Sequence, residues 1–171
     1  AYEHYGADRV RGPDFTVTFG SLTFNIEVTR LRAATTVTGT RLGALGSSSL
    51  RLVDTVAAKL RQLPPRVANL LVIVADESAI EHVDLPAGLR HLVAQIEQRH
   101  PATLARHRFQ DPADFFNHYR RLSGVLLRGT WDDRDLMPLL LWPNPHARHP
   151  LPSPLRTRLA RWPHLSSTRP P

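Results

Sequence analysis

The sequence contains no cysteine and only one lysine. Without cysteine the chain can form no disulfide and has no thiolate ligand for a metal ion. Its apolar runs fall short of the roughly 18–20 residues that a membrane-spanning helix needs, and we find no signal-peptide pattern. We therefore expect a cytoplasmic protein with no membrane partner. All other basic residues are arginine, so Lys59 is a position that needs an explanation.

The charge balance is basic, with a formal net charge of +7 over 171 residues. This length suits one domain with a substantial core. A basic surface favours an anionic partner, and we expect nucleic acid, DNA rather than RNA. We predict a single domain over 1–162 and a disordered tail over 163–171. The sequence is also compatible with a homodimer and with a piece of a longer chain.

Alternating apolar and polar residues predict a β-hairpin near the start of the chain. The alternation covers residues 15–19, Gly20-Ser21 supplies a turn, and the alternation resumes over 22–29. A helix over about 50–63 ends at Pro64-Pro65. The continuous apolar run over 69–75 that follows indicates a strand covered on both faces.

The remaining elements complete an α/β pattern. We expect helices over 85–99, 112–122 and 154–162, strands over 123–128 and 136–142, and the end of a helix with a loop over 1–11. Strands and helices that alternate around a buried central strand predict an α/β sandwich, a mixed central β-sheet flanked by helices.

Two carboxylates lie at matching points of the predicted hairpin. Asp14 follows a proline at the head of the first strand, and Glu27 is in the middle of the second, where strand propensity disfavours glutamate. A short connection makes the two strands antiparallel, which brings the carboxylates near one another. Mg²⁺ is usually held by one or two carboxylates together with waters and substrate phosphate oxygens. The pair is a candidate metal site, although two surface carboxylates on a hairpin would give the same pattern.

The segments Pro13-Asp14-Phe15 and Ile26-Glu27-Val28-Thr29 resemble the motif of the PD-(D/E)XK nuclease superfamily, which has the restriction-endonuclease-like fold. That motif is an Asp on one strand, then Asp or Glu, any residue and Lys on the next strand. Here Thr29 stands in place of the lysine. Some members of the superfamily carry the lysine on the following helix, and Lys59 is placed for this role, with Gln62 one turn further on.

The resemblance implies a restriction-endonuclease-like fold and a Mg²⁺-dependent nuclease, with Mn²⁺ as an alternative ion. The implied metal ligands are Asp14, Glu27 and the backbone carbonyl of Val28. The implied catalytic residues are the two carboxylates, Lys59 and Gln62. The metal would lower the pKa of a bound water and neutralise charge on the scissile phosphate. Lys59 would act as a compact point charge, for which arginine is a poor substitute.

Four arginines are candidates for contacts with nucleic-acid phosphates: Arg30 and Arg32 beside the proposed site, and Arg148 and Arg156 near the C-terminus. Such contacts are sensitive to salt and independent of base sequence. Two alternatives stay open. One is the same fold with an inactive site that binds nucleic acid or a protein partner. The other is a structural α/β interaction domain with no nucleic-acid role.

Overall fold

The computed structural model describes residues 2–4, 12–31, 47–75, 84–129 and 140–160. The strands within these ranges are β1 (Tyr2–His4), β2 (Phe15–Phe19), β3 (Leu22–Leu31), β4 (Ala68–Ala75), β5 (Leu122–Gly129) and β6 (Leu140–Pro143). The helices are α1 (Ser47–Lys59), α2 (Leu85–Glu97), α3 (Pro101–Arg106), α4 (Pro112–Tyr119) and α5 (Ser153–Ala160). A 3₁₀ turn, Leu60–Gln62, directly follows α1.

The strands form one mixed sheet in which their spatial order follows the chain from β1 to β6. The β1–β2, β2–β3 and β5–β6 pairs are antiparallel, whereas β3, β4 and β5 run parallel. Parallel neighbours need a long crossover, and helices supply it: α1 between β3 and β4, and α2 to α4 between β4 and β5. The prediction of an α/β fold with a mixed sheet flanked by helices is confirmed.

The sheet has a large hydrophobic core on one face and a smaller one on the other. Apolar side chains of α1, α2 and α4 meet Leu71 and Ile73 of β4 in the large core. On the opposite face, Leu155 and Leu159 of α5 pack against Leu70 of β4. Strand β4 is therefore covered on both sides, as the apolar run over 69–75 indicates.

The hairpin of β2 and β3 closes through a two-residue turn. The ladder continues to the Phe19–Leu22 pair, and Gly20 between them has φ +60°. This left-handed conformation is favoured in two-residue hairpin loops and is accessible to glycine without steric cost. The turn sets the register of the whole hairpin, and with it the relative positions of Asp14 and Glu27.

One prediction is wrong in the fold, and one helix is missing from the predicted elements. The helix end expected over 1–11 is wrong at Tyr2–His4, which is a strand paired with β2; three residues are too few for periodicity to separate strand from helix. The short helix α3 was absent from the expected elements for the same reason. The other elements match their predicted bounds within a few residues. The tail over 163–171 and the first part of the strand expected over 136–142 lie outside the described residues.

Candidate active site

Asp14 and Glu27 occupy opposite positions just past the end of the β2–β3 ladder. The ladder pairs Phe15 with Ile26, so one step further Asp14 falls opposite Glu27. Asp14 Oδ2 accepts a hydrogen bond from the backbone N–H of Val28 at 2.7 Å. The carboxylate thus replaces the backbone acceptor that a longer β2 would have provided, and it is held against the strand that carries Glu27.

Glu27 lies on the face of the sheet that the large core covers, and Lys59 reaches it from the end of α1. Lys59 Nζ donates to Glu27 Oε1 at 2.8 Å. The Glu27 side chain is 7% exposed and the Lys59 side chain 24%. A buried carboxylate needs a compensating charge, and the only lysine in the sequence supplies it.

Gln62 lies in the same cluster because a 3₁₀ turn follows α1. Lys59 Nζ also donates to Gln62 Oε1 at 3.0 Å. In a 3₁₀ turn, side chains three residues apart lie one above the other, so Gln62 falls on the side of Lys59. Leu60 and Leu63 are buried in the large core and anchor the turn. The structure therefore brings Glu27, Lys59 and Gln62 together.

The backbone of Val28 offers a further oxygen beside the two carboxylates. The N–H and C=O of one strand residue point to the same side of the strand. The N–H of Val28 points to Asp14, so its carbonyl also points past the end of β2. The paired part of β2 ends at Phe15. The Val28 carbonyl therefore lies beyond the hydrogen-bonded ladder, on the side of β3 where Asp14 lies.

These oxygens fit a hard divalent cation. Asp14 Oδ1 and Glu27 Oε2 make no hydrogen bond within the described part of the chain. The described residues contain no group of three or more His, Cys, Asp or Glu side chains that could hold a metal ion. Two carboxylates and a carbonyl instead suit Mg²⁺, which keeps several waters and commonly shares its coordination with substrate phosphates.

A buried polar network, which the sequence-based prediction missed, supports the site. Asn25 Nδ2 donates to Asn69 Oδ1 at 3.1 Å, and Thr16 Oγ1 donates to Asn25 Oδ1 at 2.9 Å. Asn69 Nδ2 donates to the carbonyl of Pro64, in the loop that follows Gln62, at 2.9 Å. The network ties β2, β3 and β4 to that loop. The signal in the sequence is Asn69, a polar residue at the start of the apolar run over 69–75, where the pattern predicts burial.

Of the four arginines predicted to bind nucleic acid, the three that the structure describes are not gathered at the carboxylates. Arg30 is exposed on β3, and strand alternation places it on the face opposite Glu27. Arg156 is on α5, which covers that opposite face, and its guanidinium donates to Ser153 Oγ at 3.0 Å. Arg148 is exposed before α5. Arg32 lies outside the described residues.

A different set of arginines lies beside the site. A cleft of about 930 Å³ is lined by Gln62 and Gly12 and by four arginines. These arginines lie in the 3₁₀ turn, in α3 and the loop after it, and in the turn before β5: Arg61, Arg106, Arg108 and Arg121. We call this feature the basic cleft. Sequence patterns did not reveal it because it depends on which elements become neighbours in space.

Comparisons with protein-family models, with curated proteins and with solved structures gave no match for this chain. In the ranges that the structure describes, none of the helices has the length and apolar character needed to traverse a membrane. The function is therefore inferred from the geometry of Asp14, Glu27 and Lys59.

Proposed function

We propose that the protein is a Mg²⁺-dependent nuclease that hydrolyses phosphodiester bonds in DNA. The observation that carries this proposal is the 2.8 Å contact between Lys59 Nζ and Glu27 Oε1. It joins the single lysine of the sequence to a carboxylate 32 residues earlier, beside a second carboxylate. The arrangement resembles the PD-(D/E)XK motif with its lysine moved to the following helix, and we infer a restriction-endonuclease-like fold on the same grounds.

The carboxylates and the Val28 carbonyl supply the oxygen ligands in this proposal. Asp14 and Glu27 would hold Mg²⁺ or Mn²⁺ through the oxygens that make no hydrogen bond with the described residues. A bound ion supplies two effects: it lowers the pKa of a coordinated water and neutralises charge on the scissile phosphate. Because Asp14 is also bonded to the Val28 N–H, its position does not depend on the metal.

Lys59 and Gln62 retain donors for the substrate. An ammonium group has three N–H donors, and Glu27 and Gln62 accept two of them. The third has no acceptor among the described residues and can donate to a phosphate oxygen or the attacking water, and the side chain is exposed enough to be reached. Gln62 uses its carbonyl oxygen toward Lys59, which leaves both N–H groups of its amide as donors.

A second candidate function arises from the same contact. A salt bridge between a buried carboxylate and a lysine also forms where it serves only the fold. The alternative is thus a nuclease-fold domain without catalysis that binds nucleic acid or a protein partner through its arginines. The nuclease and the binding domain differ in whether they cleave DNA, and not in whether they bind it.

The deciding experiment compares DNA cleavage by four forms of the protein, with supercoiled plasmid and circular single-stranded DNA as substrates, in Mg²⁺ and in EDTA. The forms are wild type, Glu27→Ala, Lys59→Ala and, as a control, Arg90→Ala, which removes an exposed arginine from α2. We expect Mg²⁺-dependent cleavage by wild type and Arg90→Ala, and a loss of about 100-fold or more in the two site variants. Equal cleavage by all four forms would refute the assignment. No cleavage by wild type would favour the binding domain.

A further inference from the structure

The basic cleft is continuous with the proposed active site at two points. Gln62 lines the cleft and accepts a hydrogen bond from Lys59 Nζ. Gly12 also lines it, two residues before Asp14. A ligand in the cleft therefore lies next to both the lysine and the loop that carries the first carboxylate.

The cleft is positive at neutral pH. Among the described residues, its lining includes four arginines and a single acidic residue, Asp54. Burial lowers the pKa of His107 below its usual value of 6.5, although Asp54 opposes this shift, so the neutral imidazole is favoured. An excess of fixed positive charge in a concave site concentrates anions.

The arginines differ in how far their charge is already used. Arg106 pairs with Asp54, and Arg61 pairs with Asp114 Oδ2 at 3.0 Å. The guanidinium of Arg108 makes no hydrogen bond or ion pair with the described residues and is exposed. The guanidinium of Arg121 makes one long hydrogen bond with the described residues, 3.4 Å, to the carbonyl of Leu63. Arg108 and Arg121 thus have most of their donor groups left for a ligand.

We infer that the basic cleft binds the phosphates of a single-stranded segment of nucleic acid and leads that strand to Lys59. The direction toward Lys59 rests on the proposed function, whereas the binding does not. Guanidinium groups hold phosphates through paired N–H donors. The described lining contains no Phe, Tyr or Trp on which bases could stack, so recognition is of the backbone and independent of base sequence.

The size of the cleft favours a single strand over a duplex. Its volume of about 930 Å³ is at the upper end of the range for pockets that enclose small ligands. Such a space accepts a flexible chain of a few nucleotides. A cube of this volume has an edge of about 10 Å, which is less than the width of about 12 Å of the major groove alone, so the cleft is too small to enclose a double helix.

The test measures binding in EDTA, so that cleavage plays no part. Fluorescence anisotropy compares a short labelled oligothymidylate with a mixed-sequence duplex of the same length, for wild type, Arg108→Glu, Arg108→Ala/Arg121→Ala and the control Arg90→Glu. We expect both cleft variants to lose about tenfold or more in affinity for the single strand, and Arg90→Glu to lose much less. The double variant should also reduce the slope of log K against log salt by about 1.4, or about 0.7 for each phosphate contact.

Two results would overturn the inference. One is unchanged single-strand affinity in Arg108→Glu. This variant alters an exposed side chain that has no hydrogen bond or ion pair with the described residues, and it is expected to fold, which circular dichroism checks. The other is an equal loss for duplex and single strand, which would show that the cleft does not select a strand. Wild type that binds through the cleft but cleaves nothing in Mg²⁺ would refute the proposed nuclease function and leave this inference intact.

Discussion

Replacement of Lys59 by Met should destabilise the fold, because it leaves the Glu27 carboxylate buried without a counter-charge. Methionine keeps much of the apolar length of lysine and removes only the ammonium. The Glu27 side chain is 7% exposed, and Lys59 Nζ is 2.8 Å from its Oε1. Loss of one partner from a buried pair costs about 3–5 kcal/mol. Since the Lys59 side chain is 24% exposed, water screens part of this interaction, and we expect about 2–3 kcal/mol.

A double-mutant cycle isolates the contribution of the pair. Glu27→Gln alone leaves a partly exposed ammonium beside a neutral amide, and should cost about 1 kcal/mol. The double variant Glu27→Gln/Lys59→Met contains neither charge and should also lose only about 1 kcal/mol. The cycle then gives a coupling energy of about 2–3 kcal/mol in favour of the pair.

The assay is urea unfolding followed by circular dichroism, in EDTA so that no divalent ion contributes. The free energies of unfolding of wild type, both single variants and the double variant are compared, provided that their m-values agree. Arg90→Met is a control that removes an exposed cation. A loss below about 0.5 kcal/mol in Lys59→Met, or additive effects in the cycle within the same margin, would refute the contact and with it the basis of the proposed site.

Three further predictions concern the carboxylate, the lysine and a histidine. Asp14→Asn should retain an acceptor for the Val28 N–H and change stability by less than about 1 kcal/mol, while Mg²⁺-dependent cleavage, followed as initial rates, falls sharply. Thr29→Lys introduced into Lys59→Met puts an ammonium at the strand position of the PD-(D/E)XK motif and should restore part of the cleavage rate; no recovery would mean that lysine is required on the helix. Burial lowers the pKa of His107 below 6.5 in the folded state, so the unfolded chain binds its proton first and native stability should decrease as pH falls below 6.5. His107→Gln should weaken that decrease in urea unfolding at a series of pH values.

The hairpin and its carboxylates were accessible from the sequence because strand geometry is local. Alternation assigns each residue of β3 to a face, and the turn at Gly20 sets the register that places Asp14 opposite Glu27. The apolar stripe of α1 likewise places Lys59 beside the buried face of that helix. The same alternation assigns Arg30 to the face of the sheet opposite Glu27.

The basic cleft and the asparagine network could not be predicted in this way. Both depend on contacts between residues far apart in the chain: Asn25 bonds Asn69, 44 residues later, and Arg61 lies in one cleft with Arg108. Periodicity reports which face of an element is buried, but it does not report which elements become neighbours. Strand β1 and helix α3 escaped prediction for another reason, since neither is long enough to show a period.

The measurement that tests the central claim most directly is Mg²⁺-dependent cleavage of a labelled single-stranded oligonucleotide by wild type and by Glu27→Gln/Lys59→Met. The double variant removes the proposed metal ligand and the ammonium together, yet it should remain folded because it leaves no unpaired buried charge. We predict cleavage by wild type and none by the double variant, with closely similar circular dichroism spectra. Equal rates for the two proteins would contradict the account, because catalysis would then proceed without the pair from which the function is inferred.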